Sequence, residues 1–385
     1  GSSCHFGSQA LSQVLAPLEN AAKMDGQTVR WGCIGTGNIA MQMAQQLSRL
    51  PGAEKSVLCS ASGKDSAEIA DKCAEYGFAR ALSLEEIVAD PCVDVLYVAS
   101  ANTAHADHCL RALRGGKHVL CEKPLTMTRA EAEEVFAEAE SRHLLLVDGT
   151  FSACLPAYDL LRLRIPEVGK IRYVELNKKI RMKIMESSPI INSRALGGGL
   201  FDGCGSYTTH ALCVIFGPAA VADLRPEALE VVSVPGPNGE VDWDTTVTLH
   251  LCGAIAVLTH RAADDARPSK IQGDSGTIEF TLPRLENVTV NGEMFETPYG
   301  SLPFKDLPVG EPGAPKGLHA GLGVEAAAVH RALAAGHVGA GTRELPLDVM
   351  RAMAHAMDLV RRRIPTHLCY EPPGLHAGLV VDSML

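Results

Sequence analysis

The fold of this chain is decided by the stretch Val29-Arg30-Trp31-Gly32-Cys33-Ile34-Gly35-Thr36-Gly37-Asn38-Ile39-Ala40. An apolar run typical of a buried strand leads into a glycine-rich turn, and a helical pattern follows. Gly35 permits a tight turn, Gly37 lets a phosphate approach the backbone, and Ala40 allows close packing of helix on strand. Free N–H groups at the helix start favour an anion. This order predicts a dinucleotide site with these residues: Gly35, Thr36, Gly37, Asn38 and Ile39.

Outward from this stretch, apolar strands alternate with helical segments as far as residue 149. Further strands are indicated by the apolar runs at residues 56–61, 93–99, 117–121 and 144–147. Such alternation is typical of an α/β fold with a doubly wound, parallel sheet. We therefore predict a dinucleotide-binding Rossmann domain over residues 25–149. Residues 1–24 are interpreted as a leader or the remnant of a tag.

The residues after the second strand bear on the choice of cofactor. An NAD-specific site usually has Asp or Glu there, which accepts a hydrogen bond from the ribose 2′-hydroxyl. Here the residues are Ser62-Gly63-Lys64, and a hydroxyl with a cation suits a 2′-phosphate that a carboxylate would repel. The alternative is a solvated turn before the next helix. We predict that Ser62 and Lys64 bind NADP and that NAD is the weaker cofactor.

Two more strands of the predicted sheet end in polar residues. One is followed by Ser100, Asn102 and His105, and the next runs into Glu122 and Lys123. Ligands bind outside the carboxyl ends of the strands in a parallel sheet, so we predict that all five residues contact the cofactor. The ammonium of Lys123 could also reach a reacting oxygen. The alternative for the last two is a surface Glu–Lys pair at the end of an edge strand.

The pattern changes after residue 149. Strand-like runs, with turns such as Asn291-Gly292 that are typical of hairpins, lie at residues 172–176, 246–251, 255–259 and 277–282. We predict a C-terminal α+β domain over residues 150–385, built on an open, mostly antiparallel sheet. One run of the sequence carries four cations, which are interpreted as a solvated face: Lys178, Lys179, Arg181 and Lys183.

The composition of the 385 residues argues against several classes of protein. The formal net charge of −10 disfavours a general nucleic-acid surface, and no apolar run reaches the ~18 residues of a membrane helix. The 12 cysteines are scattered, with no Cys-x-x-Cys pair. We interpret them as free thiols of a reduced, cytoplasmic protein without a metal site. The expected partner is a small-molecule substrate.

A second glycine-rich stretch lies in the C-terminal half. Gly197-Gly198-Gly199 leads into a helical run that contains Tyr207 and His210. These two residues are three apart, so they share one face of the helix. The alternative interpretation is an ordinary helix start with a half-buried tyrosine.

Four motifs stand in a fixed order: Gly35-x-Gly37-x-x-Ala40, Asn102-x-x-His105, Glu122-Lys123-Pro124, and the triple glycine leading to Gly205-x-Tyr207. In this order they resemble the glucose-fructose oxidoreductase/inositol dehydrogenase/rhizopine-catabolism (Gfo/Idh/MocA) family over about residues 28–363, and within it the dimeric dihydrodiol dehydrogenases. The resemblance implies hydride exchange between a nicotinamide and a hydroxyl-bearing carbon. It implies Lys123 as catalytic lysine and Tyr207 as acid/base. We expect a nearby ammonium and the positive nicotinamide to lower the pKa of this tyrosine.

The sequence departs from the family pattern at three places. The family usually has Asp two residues before the motif glycine, whereas here that place is Gly203 and Asp202 is displaced by one. We expect Asp202 to cap a helix beginning near Gly203, and the alternative is that it holds a substrate hydroxyl. Dihydrodiol dehydrogenases carry Trp and Arg where Phe151 and Ala153 align, and His210 replaces an acidic or amide residue. The candidate substrate residues are Phe151, Arg194, Asp202 and His210.

These residues together predict an NADP-dependent oxidoreductase. Its substrate class would be a cyclic polyol, sugar, trans-dihydrodiol or related carbonyl, and it would form a homodimer or higher homo-oligomer through the C-terminal sheet. The alternative, which the displaced Asp202 favours, is a relative that binds NADP, turns over weakly and acts as a redox-responsive binding protein. A third possibility is a tightly held cofactor that recycles between two sugars.

Overall fold

The fold is built on two β-sheets. The structure, a computed structural model, describes residues 28–285, 287–296 and 320–370; the predicted leader at residues 1–24 lies outside them. The strands of the first sheet are β1 (Val29–Ile34), β2 (Ala53–Cys59), β3 (Arg80–Leu82), β4 (Val95–Val98), β5 (His118–Glu122) and β6 (Leu146–Gly149). They run parallel in the order β3-β2-β1-β4-β5-β6. The order reverses between β1 and β4, where such sheets bind ligands.

Helices cover both faces of this sheet, as the alternation in the sequence predicts. They are α1 (Asn38–Leu47), α2 (Ala70–Tyr76), α3 (Leu84–Ala89), α4 (His105–Arg114) and α5 (Arg129–Arg142). Local sequence fixes where some of them begin. Ser83 and Thr128 each accept a hydrogen bond from the backbone N–H three residues on, and in both a glutamate reaches back to complete a capping box.

The second sheet has eight strands. They are β7 (Ile171–Ile180), β8 (Leu229–Pro235), β9 (Asp242–Leu251), β10 (Ala254–Ala262), β11 (Ser269–Gly273), β12 (Thr277–Phe280), β13 (Asn287–Val290) and β14 (Glu293–Glu296). Their order is β14-β13-β12-β11-β7-β10-β9-β8, and β7 with β10 is the parallel pair among antiparallel neighbours. The predicted fold class, a doubly wound parallel sheet followed by a mostly antiparallel one, is confirmed.

The remaining helices lie around the second sheet and return to the first. They are α6 (Pro156–Arg164), α7 (Met182–Ser187), α8 (Leu200–Phe216), α9 (Pro218–Ala222), α10 (Ala320–Ala334) and α11 (Leu347–Arg361). Helix α8 packs on β7, β9 and β10 and is buried along almost its whole length. Among the described strands, β14 and β8 stand at the two ends of this sheet and do not pair with each other, so the sheet is open, as the sequence predicted.

Helix α10 packs against α1 in the first half of the chain. The indole N–H of Trp31 on β1 donates to Nε2 of His330 at 3.0 Å, and both side chains are buried. The segment after α10 bonds to the edge of β6, where the N–H of Gly341 donates to the carbonyl of Leu146 at 2.7 Å. Residues from the C-terminal half thus complete the cover of the first sheet. The domain boundary at residue 149 stays a prediction.

Membrane association through a spanning helix finds no support in the described residues. None of their helices combines the length and the apolar character that crossing a bilayer requires.

Candidate active site

The glycine turn between β1 and α1 has the geometry of a phosphate cradle. Gly35 has φ +137°, and a Cβ at this position would lie 2.4 Å from the carbonyl oxygen of Ala99, so only glycine fits. A Cβ on Gly37 would meet no atom within 4 Å, so open space lies over the backbone where helix α1 begins. Thr36, Asn38 and Ile39 border this space and are exposed or half-buried. The residues present therefore fit a pyrophosphate at a helix N-terminus.

Two exposed residues, Ser62 and Lys64, follow β2. The hydroxyl of Ser62 lies 3.1 Å from that of Ser60, and Lys64 extends from the next turn. A second cation, Lys72 on α2, donates from Nζ to the carbonyl of Thr36 at 2.6 Å. The sequence does not single out Lys72, because this residue belongs to no local motif and only the fold brings it beside the glycine turn. Lys72 therefore holds an ammonium group against the glycine turn, and Lys64 is exposed after β2.

The polar residues after β4 divide into two roles. Asn102 donates from Nδ2 to the carbonyl of Gly197 at 2.8 Å, so it joins the edge of the first sheet to the second glycine-rich stretch. The buried ring of His105 lies between the carbonyls of Pro124 at 2.8 Å and Ser100 at 3.2 Å, and burial lowers its pKa to about 4. Both ring nitrogens face protein oxygens. His105 therefore positions the turn and does not offer the cofactor contact that we expected.

Glu122 also differs from its predicted role. Its carboxyl accepts a hydrogen bond from the hydroxyl of Tyr97 at 2.5 Å and one from the N–H of Lys123 at 3.3 Å. The side chain is buried, and burial raises its pKa. The carboxyl thus points into the protein and not towards a cofactor, and it anchors the end of β5 so that the next residue, Lys123, is held at the edge of the sheet.

Lys123 and Tyr207 come together across the two halves of the chain. The ammonium of Lys123 donates to the carbonyl of Gly203 on α8 at 3.1 Å and lies 5.8 Å from the centroid of the Tyr207 ring. The ring of Phe151 packs edge-on against Tyr207, with centroids 5.3 Å apart. The hydroxyl of Tyr207 makes no hydrogen bond to any residue that the structure describes. A phenol beside an ammonium, with its hydroxyl unengaged, can exchange a proton with a ligand.

A further cation stands close to Tyr207. The ammonium of Lys178 on β7 lies 5.5 Å from the centroid of the same ring, and burial lowers its pKa. The prediction that the run around Lys178 forms a solvated face is therefore wrong for this residue, although Arg181 and Lys183 are exposed. Strand alternation carried the missed signal, because Val174, Leu176 and Lys178 share one face of β7.

The electrostatic setting of Tyr207 differs from the one that we expected. Burial, with contributions from the carboxyls of Glu122 and Glu325, raises its pKa well above the ordinary value for a tyrosine. In the chain by itself burial outweighs the effect of the nearby ammonium, and the lowered pKa that we expect with the nicotinamide bound stays a prediction. Glu325 on α10 was not singled out in the sequence: it is 1% exposed, and neither of its carboxyl oxygens has a hydrogen-bond partner among the residues that the structure describes. The phenol is thus protonated at neutral pH.

Asp202 neither caps a helix nor faces a ligand. Helix α8 begins at Leu200, three residues before the predicted start, and Asp202 accepts a hydrogen bond from Nε of Arg361 at 2.5 Å. The capping role belongs to Asp242, whose carboxyl accepts from the N–H of Phe201 at 3.0 Å. Both members of the Asp202–Arg361 pair are buried. The capping expectation and the substrate alternative for Asp202 are both replaced by a structural ion pair.

The other two candidate substrate residues lie in different surroundings. His210 is fully buried, with Nδ1 3.1 Å from the hydroxyl of Ser152 and its ring packed on Tyr158, and burial lowers its pKa to about 3. It serves packing and is withdrawn as a substrate residue. Arg194 is exposed in a short turn, Arg194–Leu196, which packs beside Asn102 at the edge of the first sheet. Arg194 stays a candidate.

Comparison with known proteins connects this site to one family. Residues 29–150 match the Gfo/Idh/MocA family, described as an oxidoreductase family with an NAD-binding Rossmann fold. A trans-1,2-dihydrobenzene-1,2-diol dehydrogenase of Sus scrofa is 30% identical over 291 residues, which cover 72% of this chain and 82% of that protein. A scyllo-inositol 2-dehydrogenase (NADP(+)) of Bacillus subtilis is 29% identical over 273 residues, covering 68% of this chain and 79% of that protein.

Solved structures agree at the level of the fold. A levoglucosan dehydrogenase in complex with NADH and levoglucosan has a TM-score of 0.70 at 20% identity, covering 88% of this chain and 97% of that one. Biliverdin reductase from Synechocystis, in complex with biliverdin and NADP+, has a TM-score of 0.67 at 19% identity, covering 87% and 98%. The resemblance drawn from the four sequence motifs is thereby confirmed. The chain belongs to the Gfo/Idh/MocA family of oxidoreductases, enzymes with an NAD(P)-binding Rossmann fold.

Proposed function

We propose that this protein is an NADP-dependent oxidoreductase that transfers a hydride between the nicotinamide and a hydroxyl or carbonyl carbon of a cyclic polyol, sugar or trans-dihydrodiol. One observation carries the proposal. The phenol of Tyr207, with no hydrogen-bond partner in the described chain, stands beside the ammonium of Lys123 at the edge of the sheet that also holds the glycine turn. This combination supports the role of Tyr207 as a proton donor next to the predicted cofactor site.

The cofactor would be held by residues of the first half. The backbone at Gly35 and Gly37 and the start of α1 would bind the pyrophosphate, and Ser62, Lys64 and Lys72 would face the 2′-phosphate. When bound, the nicotinamide supplies or accepts the hydride. The hydroxyl of Ser62 and the cation of Lys64 stand where NAD-specific sites usually hold an acidic residue, and this favours NADP over NAD.

The proton chemistry would belong to Tyr207. Because burial keeps its pKa high, the phenol carries its proton at neutral pH and is prepared to give it to a carbonyl oxygen. Lys123, beside the ring, would stabilise the negative charge that gathers on that oxygen as it is reduced. Phe151 holds the ring of Tyr207 in place through its edge-on contact.

A turnover screen tests the proposal. Polyols, dihydrodiols and dicarbonyls are assayed with NADP(H) and NAD(H), first for the wild-type chain and then for Tyr207→Phe. We expect NADP-linked turnover, and a fall in kcat of roughly 10²–10⁴ in the variant with cofactor affinity unchanged. The matched control is Tyr173→Phe, since Tyr173 lies on the outer face of β7.

The outcomes of the screen separate the three hypotheses. Unchanged turnover in Tyr207→Phe would contradict the assignment of the acid/base. Tight NADP binding without turnover of any substrate would favour the redox-responsive binding protein. NADP that stays bound through purification would favour a cofactor recycling between two sugars.

We further propose that the outer face of the second sheet joins two copies of the chain. Exposed apolar side chains lie on the face away from α8: Val232 on β8 is 67% exposed, Ile255 on β10 43% and Met294 on β14 66%. Such a face on an open sheet fits a self-complementary interface. Val232→Lys should shift the protein towards the monomer in light scattering, while Val338→Lys, at an exposed apolar residue outside the sheets, should not. A wild-type monomer at all concentrations would refute the interface.

We place the protein in the cytoplasm. The 11 cysteines among the described residues are all free thiols, as in proteins of reducing compartments. Fractionation of cells that express the full chain tests this location.

A further inference from the structure

Lys178 is directed at the site by the register of two strands. In the parallel pairing of β7 with β10, Lys178 lies opposite His260, and Nε2 of His260 lies 2.9 Å from the hydroxyl of Thr208 on α8. Paired residues project to the same face of a sheet, so Lys178 faces α8. Its ammonium nitrogen accordingly lies 5.5 Å from the centroid of the Tyr207 ring, and the ammonium nitrogen of Lys123 lies 5.8 Å from the same point.

Neither of these two lysines has a counter-ion within the described chain. Lys178 donates to the backbone carbonyl of Lys179 at 2.8 Å, and Lys123 donates to that of Gly203 at 3.1 Å, but no carboxylate within the described residues forms an ion pair with either. Both side chains are half-buried. Burying an ammonium group without an ion-pair partner costs free energy. Two such groups in one site therefore favour the binding of an anionic ligand.

Three of the carboxyls close to the site are committed elsewhere, and burial raises the pKa of the fourth, Glu325, well above its ordinary value, which disfavours its anionic form. The carboxyl of Glu122 is bonded to the hydroxyl of Tyr97, and that of Asp202 to Arg361. Asp242 accepts from the N–H of Phe201. The positive charge around Tyr207 is therefore left for a ligand.

We propose that Lys178 is a specificity residue that binds an anionic group of the substrate, and that the substrate class is a hydroxy acid or sugar acid whose carboxylate lies close to the reacting carbon. The inference rests on the proposed oxidoreductase function and narrows its substrate class. In the direction of reduction, the carbonyl carbon gains a hydride from the reduced cofactor. The electron pair of the C=O bond passes to the oxygen, which takes the proton of Tyr207, and the carboxylate stays bound to Lys178 unchanged.

A second role for Lys178 would give a different kinetic signature. If the ammonium acted only on the ionisation of Tyr207, its loss would change kcat and its pH profile equally for charged and neutral substrates. If it binds the substrate carboxylate, its loss raises KM for acids alone. Comparing a charged substrate with its neutral counterpart therefore distinguishes two roles of Lys178. One is binding the substrate carboxylate, and the other is a purely electrostatic effect on the phenol of Tyr207.

The experiment compares pairs of ligands that differ in one carboxylate. Calorimetry measures the binding of D-glucuronate against D-glucose, and of D-gluconate against D-glucitol, to the full chain saturated with NADP+. We expect the acid of each pair to bind at least tenfold more tightly, as a hydrogen bond to a charged group allows. Lys178→Met should abolish this advantage and leave the neutral sugars unchanged, and Lys178→Arg should keep part of it.

Lys179 supplies the matched control. It is the neighbouring lysine, half-buried like Lys178, but it lies on the opposite face of β7 and donates to the carbonyl of Asp264. Lys179→Met should keep the preference for acids. The inference is overturned if acids bind no more tightly than their neutral partners, or if Lys178→Met weakens both alike.

Failure of this inference can be told apart from failure of the proposed function. If the wild-type chain does not bind NADP, or turns over no carbonyl or hydroxyl substrate, the proposed function fails. If it turns over neutral sugars with NADP at least as well as their acids, the function stands and the role of Lys178 in recognising an anion is refuted.

Discussion

The buried ion pair between Asp202 and Arg361 offers the sharpest test of the structure. The perturbation is Arg361→Met, which keeps an unbranched apolar chain and removes the guanidinium. In the folded protein Nε of Arg361 donates to Asp202 at 2.5 Å, and a terminal nitrogen donates to the carbonyl of Met127 at 2.8 Å. The side chains are 8% and 3% exposed. The variant leaves a carboxyl and a backbone carbonyl buried without their donor.

The magnitude follows from that loss. Removing one member of a buried pair costs about 3–5 kcal/mol, because an uncompensated charge stays behind. At ~2 °C per kcal/mol for a chain of this size, the melting temperature should fall by about 6–10 °C. A double variant, Asp202→Leu with Arg361→Met, removes both charges and should recover a large part of the loss, since replacing a whole pair by apolar groups is often close to neutral.

The pH dependence of the defect has a definite sign. Burial raises the pKa of Asp202 above its ordinary value, although Arg361 acts to lower it. Removing the guanidinium raises this pKa further, so the folded state binds a proton more tightly than the unfolded state does. Stability then falls as pH rises above about 4. The deficit of Arg361→Met relative to the wild type should be larger at pH 8 than at pH 5.

Thermal and urea unfolding, each followed by circular dichroism, measure these effects, and kinetics on the same samples complete the test. Asp202→Asn should lower stability and leave KM unchanged. The reasoning would be refuted by single and double variants whose losses simply add. An Asp202→Asn protein with unchanged melting temperature and raised KM would refute it as well, because that result would place the carboxylate at the substrate.

Three further predictions follow from other parts of the site. Lys64→Ala and Lys72→Ala should each weaken NADP binding roughly three- to fivefold without affecting NAD, in fluorescence titrations; equal effects on both cofactors would contradict the 2′-phosphate assignment. Lys123→Met should lower kcat by a factor similar to that of Tyr207→Phe in steady-state assays, and a wild-type rate would remove Lys123 from the chemistry. Glu325→Gln should raise the melting temperature, more at pH 8 than at pH 5, because the raised pKa of the buried carboxyl makes its ionisation unfavourable in the folded state; a lower melting temperature at pH 8 would show that the charge is stabilised.

The first half of the molecule could be predicted because its signals are local. The glycine turn at Gly35 and Gly37, the strand before it and the helix after it are contiguous, and each has a physical requirement that few residues meet. The strand ends that carry Asn102 and Lys123 followed from the alternation of strands and helices. The identity of the catalytic pair came from the family resemblance and stays a prediction, although the fold brings Lys123 and Tyr207 together.

The errors concern residues whose partners are distant in the sequence. Asp202 looked like a helix cap because the glycine-rich stretch hides where α8 begins, and nothing local indicates Arg361, 159 residues away. His105 and His210 were predicted to contact a ligand, because the sequence does not reveal whether a single polar side chain between apolar ones is buried. Lys178 is a different case. The alternation of side chains along the strand already placed Lys178 on the same face as Leu176, but the basic run was interpreted as one solvated surface.

The return of α10 to the first sheet has a consequence for how the protein is made. The ribosome completes β6 about 170 residues before α10 emerges, a delay on the order of ten to thirty seconds at ordinary rates of translation. During this interval the nascent chain holds Trp31 and the apolar side of α1 without the helix that later covers them. Exposed apolar surface of this kind is what chaperones bind and what drives aggregation. Because a helix that is synthesised late covers the first sheet, we expect the yield of active protein to depend on chaperones that protect the growing chain.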